Sequence, residues 1–318
     1  MTAGPRMRDN PHPFRPQKHE GMLWIPGGRF AMGSDRHYPE EAPVQHAGVG
    51  GFWMDRTPVT NAQFGRFVEE TGYVTFCELP PDADLYPGAL ADMLQAASVV
   101  FVRPQQPVDL DDHYQWWRFV PGANWRHPYG PDSGIDGKED HPAVHIAFAD
   151  AQAYADWAGK QLPGEAEWEF AARGGLDGAE YAWGDQFTPG GKLFANTWHG
   201  DFPWRIAEGF GDTSPVGTFP PNGYGLVDMI GNVWEWTTDW YSARHEGKSE
   251  GCCATAQEAK KRASIHPNDA AKIPRRVMKG GSFLCAPNYC RRYRPAARMA
   301  QPVDTSTCHL GFRCIVRS

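Results

Sequence analysis

Glycine and proline make up about a fifth of this chain, 35 and 28 of its 318 residues, against roughly an eighth in an average protein. A glycine inside a helix or strand weakens it, and a proline removes a backbone donor. Long regular elements are therefore excluded over most of the length, which leaves disorder or an ordered fold rich in turns. The aromatic content decides between them. Thirteen Trp, 17 Phe and 11 Tyr are far more than a disordered chain carries, and a chain of this length can bury a core without disulfide staples.

Periodicity places a few elements. Met22 to Met32 alternates around Gly27-Gly28 and reads as a hairpin, and Phe52 to Thr57 as a further strand. Thr60 can cap a helix running to about Thr71, with Phe64, Phe67 and Val68 on one face and Gly72 as its stop. A second helix is predicted from Asp150 to Gly159, and a third from after Pro163 to Arg173, ended by Gly174-Gly175. Beyond Gly175 the periodicity is lost. Glu78 to Arg118 and Ser242 to Ile273 read as insertions. The expectation is one α+β domain over residues 21–318, behind a flexible leader at 1–20.

Charge and hydropathy narrow the function classes. The net charge of −7 gives no overall drive toward nucleic acid. The leader is polar and lacks an apolar stretch of signal-peptide type, and no run of about 18 apolar residues occurs. Seven cysteines, Cys77, Cys252, Cys253, Cys285, Cys290, Cys308 and Cys314, are odd in number and irregularly spaced, unlike a secreted disulfide framework. A cytoplasmic monomer with no membrane partner is expected.

Chemistry concentrates near the C-terminus, in Gly280-Gly281-Ser282-Phe283-Leu284-Cys285-Ala286-Pro287-Asn288-Tyr289-Cys290. Between Ala270 and Val303 lie eight Lys or Arg residues and no Asp or Glu, a positive field expected to favour thiolate over thiol. Paired thiolates with few competing donors suit Cu(I) better than Zn(II), Mg or Ca. Spacing alone also allows two buried core cysteines or a local disulfide.

The flanking sequence narrows these alternatives. Ser-x-x-Cys-x-x-x-Tyr-Cys followed by Arg292-Tyr293-Arg294-x-Ala-Ala-Arg298 resembles the active-site segment of the formylglycine-generating enzymes, or sulfatase-modifying factors. The likeness extends to MLWIPGGRFAM at 22–32, NWRHPYGPDS at 124–133, WAGKQLPGEAEWEFAARGG at 157–175, NGYGLVDMIGNVWEW at 222–236 and LGFRC at 310–314. It implies the formylglycine-generating enzyme fold, related to C-type lectins, and an O₂-dependent oxidoreductase. The implied reaction converts a cysteine in a Cys-x-Pro-x-Arg sequence of an unfolded or nascent sulfatase into Cα-formylglycine, with copper and an external reductant. Cys285 and Cys290 would bind Cu(I), Ser282 would hydrogen-bond near the oxygen site, and Tyr289 would line the pocket. His309 and Trp234 match substrate-binding positions.

The same resemblance implies two structural calcium ions, one held by Asn196, the Thr197 carbonyl, Glu208 and the Phe210 carbonyl. The other would be held by Asp228, the Gly231 and Val233 carbonyls and Glu235. Glu208 stands where relatives have Asp, and a family glutamate near the substrate arginine aligns with Pro58. Partners of the structural disulfides in secreted relatives appear as Ala155, Ala172 and Pro295, which fits a reducing compartment. Two alternatives remain, a catalytically silent lectin-like module and a relative of the iron-dependent sulfoxide synthases, whose His-x-x-x-His-x-Glu sequence this chain lacks.

Other fragments carry less. Gly247-Lys248-Ser249 lacks the preceding glycine of a phosphate loop, and His245-Glu246 lacks the second histidine of a zinc protease helix. His127, His141 and His145 read as structural, Cys314 as core, and Cys308 as a bystander thiol near the site. Cys252-Cys253 reads as two free thiols.

Overall fold

The structure is a computed structural model and describes residues 19–245 and 253–318; the leader up to residue 18, Glu246 to Ser249 and Cys252 lie outside them. The strands in chain order are β1 (Met22–Ile25), β2 (Gly28–Met32), β3 (Gln45–Val49), β4 (Phe52–Asp55), β5 (Ala97–Phe101) and β6 (Trp117–Pro121). Then come β7 (Trp234–Trp240), β8 (Arg275–Lys279), β9 (Arg298–Pro302), β10 (Leu310–Gly311) and β11 (Ile315–Arg317). Four α-helices accompany them: α1 (Asn61–Thr71), α2 (Phe148–Trp157), α3 (Glu165–Arg173) and α4 (Cys253–Ala263). The fold is α+β, with sheets ordered β1-β4-β11 and β10-β7-β8-β9 and two separate ladders, β2-β3 and β5-β6.

Local sequence accounts for the helix ends. Thr60 accepts from the Gln63 amide while the Gln63 side chain accepts from the Thr60 amide, a reciprocal cap, and Gly72 leaves α1 in the left-handed region at φ 67°. At α3 the Glu167 carboxylate accepts from the Gly164 amide, and Gly174 closes the helix at φ 58°. There a Cβ would lie 2.7 Å from the Gly223 amide nitrogen, so the third helix needs its glycine for close approach as well as for conformation.

One expectation is corrected. Met22 to Met32 is not a hairpin: β1 pairs with β4 and β2 with β3. The chain changes ladders at Gly27, where a Cβ would meet the backbone of Gly50-Gly51 at 2.9 Å, so this glycine serves packing rather than a tight turn. Within residues 78–118, Phe101 of β5, Trp116 and Trp117 join a second hydrophobic cluster with Trp198, Phe202, Phe283, Leu284, Ala286 and Cys308, apart from the main core around Phe64, Phe67, Trp168 and Trp236.

Residues 280–297, the connection between antiparallel β8 and β9, give Phe283, Leu284 and Ala286 to that second cluster and Cys285 and Tyr293 to the main core. Lys279 and Arg298 face each other in register at its base. Both charges meet α3: Arg298 grips Glu165 with two bonds of 2.7 and 2.9 Å, and Lys279 lies 2.9 Å from Glu169 and 3.7 Å from Glu165. Burial alone would push Glu165 up, but Arg298 and Lys279 outweigh it and hold the carboxyl below its ordinary range. Farther along, Arg294 clasps Glu41 through two bonds of 2.7 and 2.5 Å, with both side chains buried.

Breaking such a pair strands a charge. Arg294→Met should lower unfolding free energy by about 3 to 5 kcal/mol, because Glu41 would remain buried without its partner. Arg294→Met with Glu41→Gln should recover much of that loss. Urea unfolding of the single and double variants checks the prediction.

Candidate active site

The thiols are brought together by two successive turns. The Cys285 amide donates to the Ser282 carbonyl at 3.0 Å, the Ser282 amide reaches the Cys285 Sγ at 3.4 Å, and the Leu284 amide donates to the Ser282 Oγ at 3.2 Å. A helical turn follows, in which the Cys290 amide donates to the Ala286 carbonyl at 3.0 Å. It returns Cys290 to Cys285 with their sulfurs 3.3 Å apart, both as free thiols. Gly280 and Gly281 enter this segment at φ 98° and 73°. A Cβ on Gly281 would lie 2.9 Å from the Tyr293 Cα, so glycine permits the loop to close on itself.

The two thiols are not equivalent. Cys285 is buried, and burial followed by the proximity of Cys290 pushes its thiol well above the ordinary value. Cys290 is half-buried and shifts the other way. A hydrogen bond from Cys285 and the Arg292 charge outweigh its burial and lower it. The Arg292 guanidinium lies 4.0 Å from the Cys290 Sγ, anchored by Glu40 at 2.6 Å and stacked 3.8 Å over Tyr38. The pair is thus arranged to share one proton, with the anionic end at Cys290.

This corrects the reading of the basic run. Lys279, Arg292, Arg294 and Arg298 are matched by Glu169, Glu40, Glu41 and Glu165. Arg292 is the member of this run brought beside the Cys290 thiol. The effect on the thiols is local and asymmetric.

Aromatic walls surround the segment. Tyr289 is 39% exposed, stacks on Phe202 at 4.6 Å and meets Trp116 edge-on at 5.4 Å. The His309 ring lies 5.0 Å from Trp117, and burial depresses its pKa to about 3, so it is neutral. Its Nδ1 is buried without a partner. Trp234 is buried in the main core and donates its amide to the His309 carbonyl at 2.8 Å; the structure gives it a place behind His309, holding that backbone. Ser282 is buried, its hydroxyl occupied by the Leu284 amide.

Comparison with known proteins places this geometry. Residues 8–318 match the family described as "Sulfatase-modifying factor enzyme 1-like domain". The chain belongs to the sulfatase-modifying factor family. It is 55% identical over 298 residues to the formylglycine-generating enzyme of Mycobacterium tuberculosis, an alignment covering 92% of this chain and 97% of that one. It is 42% identical over 305 residues to the formylglycine-generating enzyme of Bos taurus, covering 94% and 75%. Among solved structures, PvdO from Pseudomonas aeruginosa shares the fold with a TM-score of 0.59 at 22% identity, over 93% of this chain and 94% of the other.

The oxygen-donor sets assemble unevenly. Asn196 and Thr197 are buried while Glu208 is exposed. The Asn196 Oδ1 and the Asp228 Oδ1 are both buried without hydrogen-bond partners, and burial raises the Asp228 carboxyl to about 6. Asp228 and Asn232 adopt positive φ, at 54° and 61°, strained backbone for non-glycine residues that favours a functional role. A cation would satisfy the orphaned oxygens. Glu235 fits less well: Arg313 takes both of its oxygens at 2.7 Å, and the Trp168 indole donates to one at 2.7 Å.

Other sequence readings find their places. His145 is neutral and structural, its ring bonded to Ser98 at 2.7 Å and the Pro128 carbonyl at 2.8 Å and its pKa lowered by burial to about 4. His127 meets the Ser133 carbonyl at 2.6 Å and His141 the Thr213 hydroxyl at 2.9 Å. Cys77, Cys308 and Cys314 are buried. Sequence reasoning missed Tyr38, Glu40, Trp116, Trp117 and Phe202. The adjacent Trp116-Trp117 pair was the available signal; nothing local marks Tyr38 or Glu40 as partners of Arg292, 254 and 252 positions away.

The asymmetry of the thiols predicts their reactivity. In metal-stripped protein, iodoacetamide should modify Cys290 well before Cys285, with an apparent pKa below that of an ordinary thiol. Arg292→Ala should move that pKa upward. Peptide mapping of alkylation rates across pH would contradict the arrangement if both cysteines reacted together at the ordinary thiol pKa.

Proposed function

We propose that this chain oxidises a cysteine within a Cys-x-Pro-x-Arg sequence of an unfolded or nascent sulfatase to Cα-formylglycine. The observation that carries the reading is the pair of free thiols 3.3 Å apart on a loop pinned at both ends, in a chain of the sulfatase-modifying factor family. The balanced change is one peptide cysteine, one O₂ and two reducing equivalents giving one formylglycine, one hydrogen sulfide and one water. Dioxygen accepts four electrons, two from the substrate Cβ and two from an external reductant.

Two soft sulfurs with an open side suit Cu(I) at low coordination number, and among the described residues no group of three or more His, Cys, Asp and Glu competes for a metal. Copper held by Cys285 and Cys290 would supply the one-electron chemistry that dioxygen requires. The chain's own residues do the remainder. Cys290, lowered beside Arg292, offers the ready thiolate, and Cys285 holds the proton that metal binding displaces. Tyr289, exposed on its aromatic stack, forms a wall for the incoming peptide, and neutral His309, beside Trp117, carries an unpartnered ring nitrogen.

Incubating a Cys-x-Pro-x-Arg peptide with protein, Cu(I), thiol and oxygen should yield, by mass spectrometry, a product that has lost sulfur and gained a carbonyl. Cys285→Ala and Cys290→Ala should each abolish it. Ser282→Ala should leave copper affinity nearly unchanged, since a hydroxyl competes poorly with two thiolates, while turnover falls roughly 10²- to 10³-fold if the hydroxyl supports developing charge. Normal turnover in either cysteine variant would sink the proposal.

We also propose two structural calcium ions, one near Asn196 and a second near Asp228. Chelation should lower the melting temperature, and Asp228→Ala should remove most of that shift without changing Cu(I) titration. Equal melting curves with and without chelator would overturn the assignment.

The proposed setting is the cytoplasm. No helix among the described residues is long and apolar enough to cross a membrane.

A further inference from the structure

The thiol loop is also held from outside, by a single 3₁₀ turn at Pro39–Glu41 between β2 and β3. The Glu41 amide closes the turn by donating to the Tyr38 carbonyl at 2.9 Å, and Pro39 fixes the backbone at its start. The body of the protein holds the turn in place: the Ser34 amide donates to the Glu41 carbonyl at 3.1 Å, and His37 lies 2.7 Å from Glu180. The same turn meets the residues that follow Cys290. The Tyr38 hydroxyl accepts from the Arg291 amide at 3.0 Å, and the Glu40 carbonyl accepts from Arg298 at 3.1 Å.

Arg292 is constrained in two directions at once. Glu40 accepts from its Nη2 and Nε at 2.6 and 3.2 Å, which fixes the guanidinium within its plane. The Tyr38 ring lies 3.8 Å from the guanidinium carbon, which fixes the plane itself. The donor left over is Nη1, and it lies 4.0 Å from the Cys290 sulfur. The neighbouring Glu41 serves a different end. Its pair with Arg294 is 0 and 1% exposed, whereas the Glu40 and Arg292 side chains retain 15 and 20%, and pairs with that access to water contribute little to stability. Arg294 donates onward to the Arg291 carbonyl at 2.8 Å, not to a sulfur.

We propose that Tyr38 and Glu40 are positioning residues for the thiol pair: through Arg292 they hold the Cys290 sulfur facing Cys285, so that one soft centre can bridge both. The consequence for turnover rests on the proposed function; the effect on the sulfurs rests on these contacts alone. An arginine side chain has many rotamers, and one that is not held spends most of its time elsewhere. Without Glu40, Arg292 turns toward solvent. Cys290, at the end of one helical turn and half-buried, then loses the donor beside its sulfur and its own preferred rotamer with it.

The test uses the metal-free full chain with Cys252→Ala and Cys253→Ala, which removes the other neighbouring thiols, and phenylarsine oxide as the probe. Its arsenic exchanges one oxygen for two thiol sulfurs and both thiol protons leave in one water, so Kd at fixed pH reads the placement of the sulfurs. Cys290→Ala should abolish bridging. Glu40→Gln should raise Kd about tenfold, the cost of ordering a side chain that is no longer held, with the melting temperature nearly unchanged. Arg292→Lys keeps the charge and loses the fork; it should raise Kd equally, and Glu40→Gln should add nothing in that background. Glu41→Gln should do the reverse, lowering the melting temperature and leaving the Kd of the folded protein as it was. An unchanged Kd in Glu40→Gln overturns the proposal, as does additivity of Glu40→Gln with Arg292→Lys. So does an equal loss of bridging in Glu41→Gln, which would make the turn a structural prop only. Failure of the function is separately visible: coupling of Glu40 to arsenical binding, with no formylglycine formed from the cysteine peptide, would leave the positioning standing and remove the oxidase reading.

Discussion

The contact of Glu165 with Arg298 and Lys279 fixes the ends of the loop on which the chemistry depends. Residues 280–297 depart from one strand and return to its neighbour, and a connection of that length would ordinarily be mobile. Here its two ends are joined in register, and both end charges converge on one carboxylate of α3. Because Lys279 and Arg298 are buried, neither can relax toward water without moving the helix. Buried ion pairs are uncertain contributors to net stability. Their effect on specificity is easier to see, since Glu169, Glu40, Glu41 and Glu165 pair Lys279, Arg292, Arg294 and Arg298 in this register.

That arrangement explains why a run of eight basic residues does not make a strongly positive site. Coulomb interactions inside a protein are set by the nearest partners rather than by composition. Four of the run meet glutamates brought from positions 40, 41, 165 and 169. Sequence inspection registers the cations because they are contiguous and overlooks the anions because they are dispersed. What reaches the thiols is Arg292, acting on one of them.

Much of the fold was legible where the determinants are local. The cap at Thr60, the stop at Gly72 and the span of α3 follow from side chains within four residues of each helix end. The hairpin reading failed because the pairing is not local: the Met22 to Met32 segment has hairpin periodicity, but its strands pair with partners 13 to 33 residues away. The stretch 78–118 lacks the periodicity of a core element, yet Trp116 is fully buried beside Tyr289. The two cysteines and Ser282 were legible because their flanking pattern is long and specific; the aromatic wall and the Glu40–Arg292 pair were not, being assembled from three distant segments.

The inequality of the thiols follows from the same construction. Two sulfurs 3.3 Å apart in a buried setting cannot both be anionic without a cation between them, since like charges at that distance repel strongly at reduced dielectric. One guanidinium beside Cys290 can balance one thiolate. The metal-free pair therefore settles with the proton on the deeper sulfur and the charge on the one nearer to solvent and to Arg292. Under the proposed copper binding the cation would balance a second thiolate charge, so metal binding would be coupled to proton release. The pinned loop ends would make that coupling effective: were the loop free to part its sulfurs, each thiol would titrate independently.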